Sequence, residues 1–131
     1  MTFCPTQGDE EVALLLNLCE LVVQDNVKWI NRKKGNVPDS ALAAGIRYVE
    51  PSRSEYETGR ITIDCALTLL KKGCGPCGSI ACYDAAVFRY LGYDASVLIL
   101  EDTGRGYHAV VQVGDAVVDG TADMPRGRTC R

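Results

Sequence analysis

The chain has 131 residues, of which 47% are hydrophobic and 24% are charged, proportions typical of one folded domain with a single core. We therefore expect a single domain over residues 1–131. A formal net charge of −3 argues against a basic nucleic-acid surface, and no apolar run reaches the length of a membrane span, so neither partner is expected.

The N-terminus and the cysteine count indicate the compartment. Residues 1–10 contain no charged segment followed by an apolar segment, so no signal peptide is visible. The seven cysteines of a chain without an export signal are more often thiols than a disulfide framework. We therefore expect a cytoplasmic protein.

The first 60 residues are predicted to be mainly helical. After an irregular lead-in over residues 1–8, three acidic residues open a long stretch with apolar residues at helical spacing. Three cations and Gly35 close it, as is typical of a helix end. Residues 40–44 suit a short helix, and residues 46–49 an extended segment.

A second long helix is predicted before the middle of the chain. Residues 51–54 suit a loop, and residues 55–72 carry apolar positions at helical spacing. This stretch also ends in two lysines and a glycine, Gly73.

The segment Gly73-Cys-Gly-Pro-Cys-Gly78 precedes another helical pattern, which Gly92 ends. Cys74, Cys77 and Cys82 lie within nine residues there. A cysteine at a helix start lies beside unpaired N–H groups and the positive end of the helix dipole, both of which stabilise a thiolate. Cys77 is therefore a candidate nucleophile, and Cys82, inside the helix, is expected to be a packing residue.

The last part of the chain predicts three strands, over residues 95–100, 107–113 and 116–119. Helices followed by an antiparallel meander indicate an α+β fold, with the cysteine-bearing helix packed on a small sheet. The pair Gly114-Asp115 suits a two-residue turn of the primed type, because glycine supplies the positive φ of its first position.

That turn places Gln112 opposite Val117 and Val110 opposite Asp119. His108, the only histidine in the chain, then shares a face with Asp119 as its diagonal neighbour, at roughly 7 Å. A carboxylate there can bind one imidazole nitrogen and leave the other for a thiol. If this face of the sheet packs against the helix that begins at Cys77, the three groups converge.

These motifs resemble the transglutaminase-like branch of the papain-like cysteine proteases, in particular the bacterial transglutaminase-like cysteine proteinases. The resemblance covers residues 61–121, preceded by a helical part (residues 1–60) and followed by a tail (residues 122–131). It departs at Val110, where the family commonly has tryptophan. The matching segments are Gly75-Pro-Cys77, Tyr90-Leu-Gly92, Tyr107-His-Ala-Val-Val-Gln-Val113 and Asp119-Gly-Thr121.

The resemblance implies a papain-like, transglutaminase-core fold with Cys77 as nucleophile, His108 as base and Asp119 as the residue that orients it. It implies a hydrolase or acyl transferase for amide bonds, of peptidase, deamidase or transglutaminase type. A protein or peptide substrate, no cofactor and no metal are expected. The Cys77 backbone N–H is the best oxyanion donor; Trp29, Tyr48 and Tyr56 are further candidates.

Three alternatives remain open. Cys74-Gly-Pro-Cys77 is also the redox motif of thioredoxins, although a helix end, not a strand, is predicted before it. The second alternative is a zinc site, because zinc is bound by cysteine and histidine and the chain offers Cys74, Cys77, Cys82 and His108. The third alternative is that the chain is a non-catalytic component of a larger assembly that retains the fold. Within the triad hypothesis, a Cys74–Cys77 disulfide would silence the nucleophile and make activity depend on a reductant.

Overall fold

Three helices and seven short strands form the part of the chain that the computed structural model describes, residues 2–3, 9–50, 61–102 and 106–126. The chain is of mixed helix and sheet, compatible with the predicted α+β class. The helices are α1 (Asp9–Arg32), α2 (Ala66–Lys72) and α3 (Cys77–Tyr90). The strands are β1 (Thr2–Phe3), β2 (Arg47–Tyr48), β3 (Ile61–Thr62), β4 (Cys74–Gly75), β5 (Ala95–Asp102), β6 (Gly106–Val113) and β7 (Ala116–Val118).

Helix α1 forms where the apolar spacing predicts it. Its buried positions recur at helical intervals and face the core. A turn closes the helix after Arg32 and ends at Gly35, which has a φ of +75° and donates its N–H to the Ile30 carbonyl at 3.0 Å. A side chain at Gly35 would overlap the Tyr90 ring, so the end of α1 packs against the end of α3.

Helix α3 is the central element of the core, between α1 and the main sheet. Every side chain from residue 79 to residue 87 is buried. Arg89 joins α3 to both neighbours, because its guanidinium pairs with the Glu20 carboxylate on α1 and its Nε donates to the Ala95 carbonyl on β5. The predicted helix at this position is confirmed.

The main sheet is antiparallel, in the order β5-β6-β7. Gly114 has a φ of +57° at the first turn position, and Val113 pairs with Ala116 and Gln112 with Val117. The predicted hairpin and its register are therefore confirmed. Three pairs of β5 and β6 direct side chains towards the helices: Ala95↔Val113, Val97↔Val111 and Ile99↔Ala109.

The long helix predicted over residues 55–72 is wrong. Residues 51–60 lie outside the described residues, and Ile61–Thr62 is strand β3, paired with Thr2–Phe3 of the lead-in that was expected to be irregular. Helix α2 begins only at Ala66, whose N–H donates to Asn26 Oδ1 on α1 at 2.8 Å. A contact from a distant helix thus fixes its start.

Two shorter segments also differ from the prediction. The expected helix over residues 40–44 is a single turn, in which the Ser40 carbonyl accepts the Ala44 N–H at 3.1 Å. In the expected tail, Met124 is buried and Arg126 bridges to Tyr48, so the chain packs back on β2. The expected extended segment over residues 46–49 contains β2 and is confirmed. Within the described ranges, no helix is long and apolar enough to cross a membrane.

Candidate active site

Cys77 is the first residue of α3, as predicted. The preceding residue, Pro76, is extended with φ −76° and ψ 170°, and it has no side-chain oxygen with which to cap the helix. The first bond within the helix runs from the Ile80 N–H to the Pro76 carbonyl. The first N–H groups of α3 therefore have no side-chain cap, and the N–H of Gly78 lies near the Cys77 thiol.

The Cys77 sulfur lies against the edge of β6 that faces β7, at a residue with which β7 does not pair. It accepts the Ala109 N–H at 3.5 Å. Strand β7 pairs with β6 only from Val111 to Val113, so this N–H lies beyond the end of β7. Standard covalent geometry then places the Cα of His108, one residue earlier, within about 6 Å of the Cys77 sulfur.

His108 and Asp119 meet on the diagonal of the β6–β7 hairpin. His108 Nε2 and Asp119 Oδ2 are 2.9 Å apart. The other oxygen, Oδ1, accepts the Thr121 N–H at 3.0 Å and the Thr121 hydroxyl at 2.7 Å. Each carboxylate oxygen therefore has its own partner, and Nδ1 of the imidazole remains for another group.

These hydrogen bonds set the ionisation of Asp119. Partial burial raises the pKa of its carboxyl, but the bonds from Thr121 and His108 outweigh burial and hold that pKa below its usual range. Asp119 is therefore an anion at neutral pH, as a residue that orients an imidazole must be.

The face of β6 that packs on α3 differs from the expected one. Ala109 and Val111 belong to the main core with α3, whereas His108 projects from the opposite face. The condition for convergence of the three groups beneath one face of the sheet is therefore not met. Cys77 instead approaches the edge of the strand, where its sulfur meets the backbone between the two faces. Among the described contacts, no hydrogen bond joins this sulfur to the imidazole.

Burial controls the Cys77 thiol. It raises the pKa of Cys77, and the charge of Asp119 raises it further, while the N–H groups of Ala109 and Gly78 lower it. The net shift is upwards, so the helix start does not produce the expected resting thiolate. A thiol with a raised pKa can act as a nucleophile near neutral pH only if a base removes its proton.

The remaining described cysteines have different surroundings. Cys74 is disulfide-bonded whereas Cys77 is free, so the Cys74–Cys77 disulfide that would silence the nucleophile is not formed. Cys82 is fully buried, which confirms it as a packing residue. Cys65, which the sequence interpretation passed over, lies 3.4 Å from Thr68 Oγ1, and this contact lowers the pKa of its thiol. The Cys-x-x-Thr spacing at a helix start was the available signal.

The other candidates have less direct relations to the site. Tyr48 pairs with Gly75 in a parallel bridge beside the approach to Cys77, with the Arg126 guanidinium 5.5 Å from its ring centre. Trp29 packs on the core, and Tyr56 lies outside the described residues. Within the described ranges, no three His, Cys, Asp or Glu side chains lie together as a metal site would require.

Comparisons with protein-family models, curated protein sequences and solved structures found no significant match. The class of protein must therefore be inferred from the geometry of the site.

Proposed function

We propose that this chain is a cysteine-nucleophile hydrolase or acyl transferase for amide bonds, with Cys77, His108 and Asp119 as its triad on a papain-like core. The observation that carries the proposal is the 2.9 Å contact between His108 and Asp119, made next to the backbone N–H that holds the Cys77 sulfur. A nucleophile, a base and an orienting carboxylate are the parts that acyl transfer to a thiol requires.

The roles follow from which atoms are already engaged. With Nε2 bound to Asp119, the Nδ1 of His108 accepts the Cys77 proton as the thiolate attacks the carbonyl carbon. The Cys77 N–H at the start of α3 stabilises the oxyanion. His108 then returns the proton to the leaving amine. Water completes hydrolysis of the resulting thioester, and an amine completes acyl transfer.

The dithiol redox alternative has less support. A thioredoxin-type cycle requires Cys74 and Cys77 to alternate between two thiols and one shared disulfide. Cys74 is bonded elsewhere and Cys77 is free, so the pair does not form that couple. The redox hypothesis also gives no function to the contact between His108 and Asp119.

A p-nitrophenyl ester tests the proposed chemistry without knowledge of the natural substrate. The chain should release p-nitrophenol in a burst and carry the acyl group on Cys77, located by peptide mass spectrometry. Cys77→Ser and His108→Ala should each abolish the burst. Cys65→Ser should leave it intact, because it removes the other partly exposed free thiol of the described residues, whose pKa is lowered by Thr68. An acyl group found on Cys65 instead of Cys77 would contradict the proposal.

A further inference from the structure

The buried carboxylate of Asp84 lies on the same helix as Cys77, seven residues and about 10 Å further along the axis. Only 5% of Asp84 is exposed. Its Oδ1 accepts the Ala41 N–H at 2.8 Å, from the turn that follows α1. No ion pair with Asp84 occurs among the residues that the structure describes.

The second oxygen of Asp84 contacts the turn that carries Asp119. A Cβ built on Gly120 would overlap Asp84 Oδ2 and would lie 3.4 Å from Ile80 Cγ2. The Cα hydrogen of Gly120 therefore points at this oxygen, and no side chain fits between them. Gly120 itself stands between Asp119 and Thr121, the residue that holds the Asp119 carboxylate.

Stability alone does not explain an aspartate at this position. A buried carboxylate with one N–H donor and no cation disfavours its charged form, and burial raises the pKa of Asp84 to about 6. An asparagine has the same shape without the charge. However, the amide has only one acceptor oxygen, so its NH2 group would face the hydrogen of either the Ala41 N–H or the Gly120 Cα. The carboxylate offers an acceptor to both.

We propose that Asp84 is a positioning residue of the candidate triad: its two oxygens fix the turn of residues 119–121 on α3 and so fix Asp119, and with it His108, relative to Cys77. This role rests on the proposed function. It makes α3 carry both the nucleophile and the support for the carboxylate that orients the base.

A double-mutant cycle tests the contact. Gly120→Ala should push the turn away from Asp84, and Asp84→Ala should remove the overlap, so the double variant should be closer to wild type than Gly120→Ala alone. The readout is the pair of ring ¹⁵N chemical shifts of His108, the only histidine in the chain. Asp119→Ala supplies the reference shifts for an imidazole without its carboxylate.

We expect Gly120→Ala to move the Nε2 shift towards the Asp119→Ala value, Asp84→Ala to move it less, and the double variant to recover to the value of Asp84→Ala alone. Equal shifts in Gly120→Ala and wild type, or no recovery in the double variant, would overturn the inference. If Gly120→Ala does not fold, Asp84→Ala alone must move the His108 shifts, and unchanged shifts there would overturn the inference as well. A residue that only stabilised the fold would leave these shifts in place.

Alkylation of Cys77 in wild type and in His108→Ala separates this inference from the proposed function. If the His108 shifts move as expected but His108→Ala leaves Cys77 reactivity unchanged, Asp84 positions the turn and the proposed triad is wrong. If His108→Ala slows the alkylation of Cys77 but the His108 shifts are the same in all variants of the cycle, the triad is supported and the proposed role of Asp84 is wrong.

Discussion

His108 and Asp119 are joined by a 2.9 Å contact between Nε2 and Oδ2, although eleven positions separate them in the chain. The same hairpin register leaves the Ala109 N–H beyond the end of β7. The Cys77 sulfur accepts this N–H. One strand therefore presents the imidazole and receives the thiol at consecutive residues.

The ionisation of Asp119 should make the fold sensitive to acid. Its folded-state pKa lies below the ordinary value of 3.8, so its ionisation stabilises the fold above that value, and this contribution is lost as the pH falls through the folded-state pKa. We expect Asp119→Asn to lose less stability than wild type on acidification from pH 7. Urea unfolding at several pH values measures this. Parallel losses in both chains would contradict it.

Asp84 should act in the opposite sense. Its folded-state pKa of about 6 lies above the ordinary 3.8, so the charged form costs stability as the pH rises from about 4 to 6. The stability of Asp84→Asn relative to wild type should rise by about 1–3 kcal/mol between pH 4 and pH 8, because only the wild-type residue ionises at this position. Urea unfolding at both pH values measures this. An advantage that persists unchanged at low pH would show that ionisation is not its cause.

Thr121 should support Asp119 through its hydroxyl. Thr121→Val removes the 2.7 Å bond to Oδ1 and leaves the backbone N–H in place. We expect a loss of about 0.5–1.5 kcal/mol in the free energy of unfolding and slower alkylation of Cys77. Thr121→Ser keeps the hydroxyl and is the matched control. If serine and valine have equal effects, the hydroxyl is not the reason.

Cys77 should be available without a reductant. Cys74 is disulfide-bonded and Cys77 is free, so alkylation of the unreduced chain should label Cys77 and leave Cys74 unmodified until reductant is added. Peptide mass spectrometry after proteolysis distinguishes the two sites. A linked Cys74–Cys77 peptide from the unreduced chain would contradict this arrangement and restore the redox alternative.

The contact between His108 and Asp119 was predictable because it depends on local rules. Alternation along β6 and the positive φ of Gly114 determine the register without reference to the rest of the molecule. The start of α3 at Cys77 was predictable for the same reason, since proline and glycine before it end one element and permit the next.

The position of the sheet relative to α3 was not predictable from β6 itself. Ala109, Val110 and Val111 are all buried, so the strand shows no alternation that would reveal which face meets the helices. The beginning of α2 and the raised pKa of Cys77 depend on distant partners, Asn26 in the first case and Ala109 with burial in the second. Asp84 offered a weak signal, as the one acidic residue of a mostly apolar helix, two turns after Cys77.

The rate of Cys77 alkylation by iodoacetamide near neutral pH tests the central claim most directly. Cys65 is an internal reference in every sample, because its thiol contacts Thr68 and not the site. We expect His108→Ala to slow the alkylation of Cys77 by at least about tenfold, and Asp119→Asn to slow it less, while the alkylation rate of Cys65 stays constant. If Cys77 and Cys65 respond alike, or if Cys77 reacts equally fast without His108, the two residues are not a nucleophile and its base.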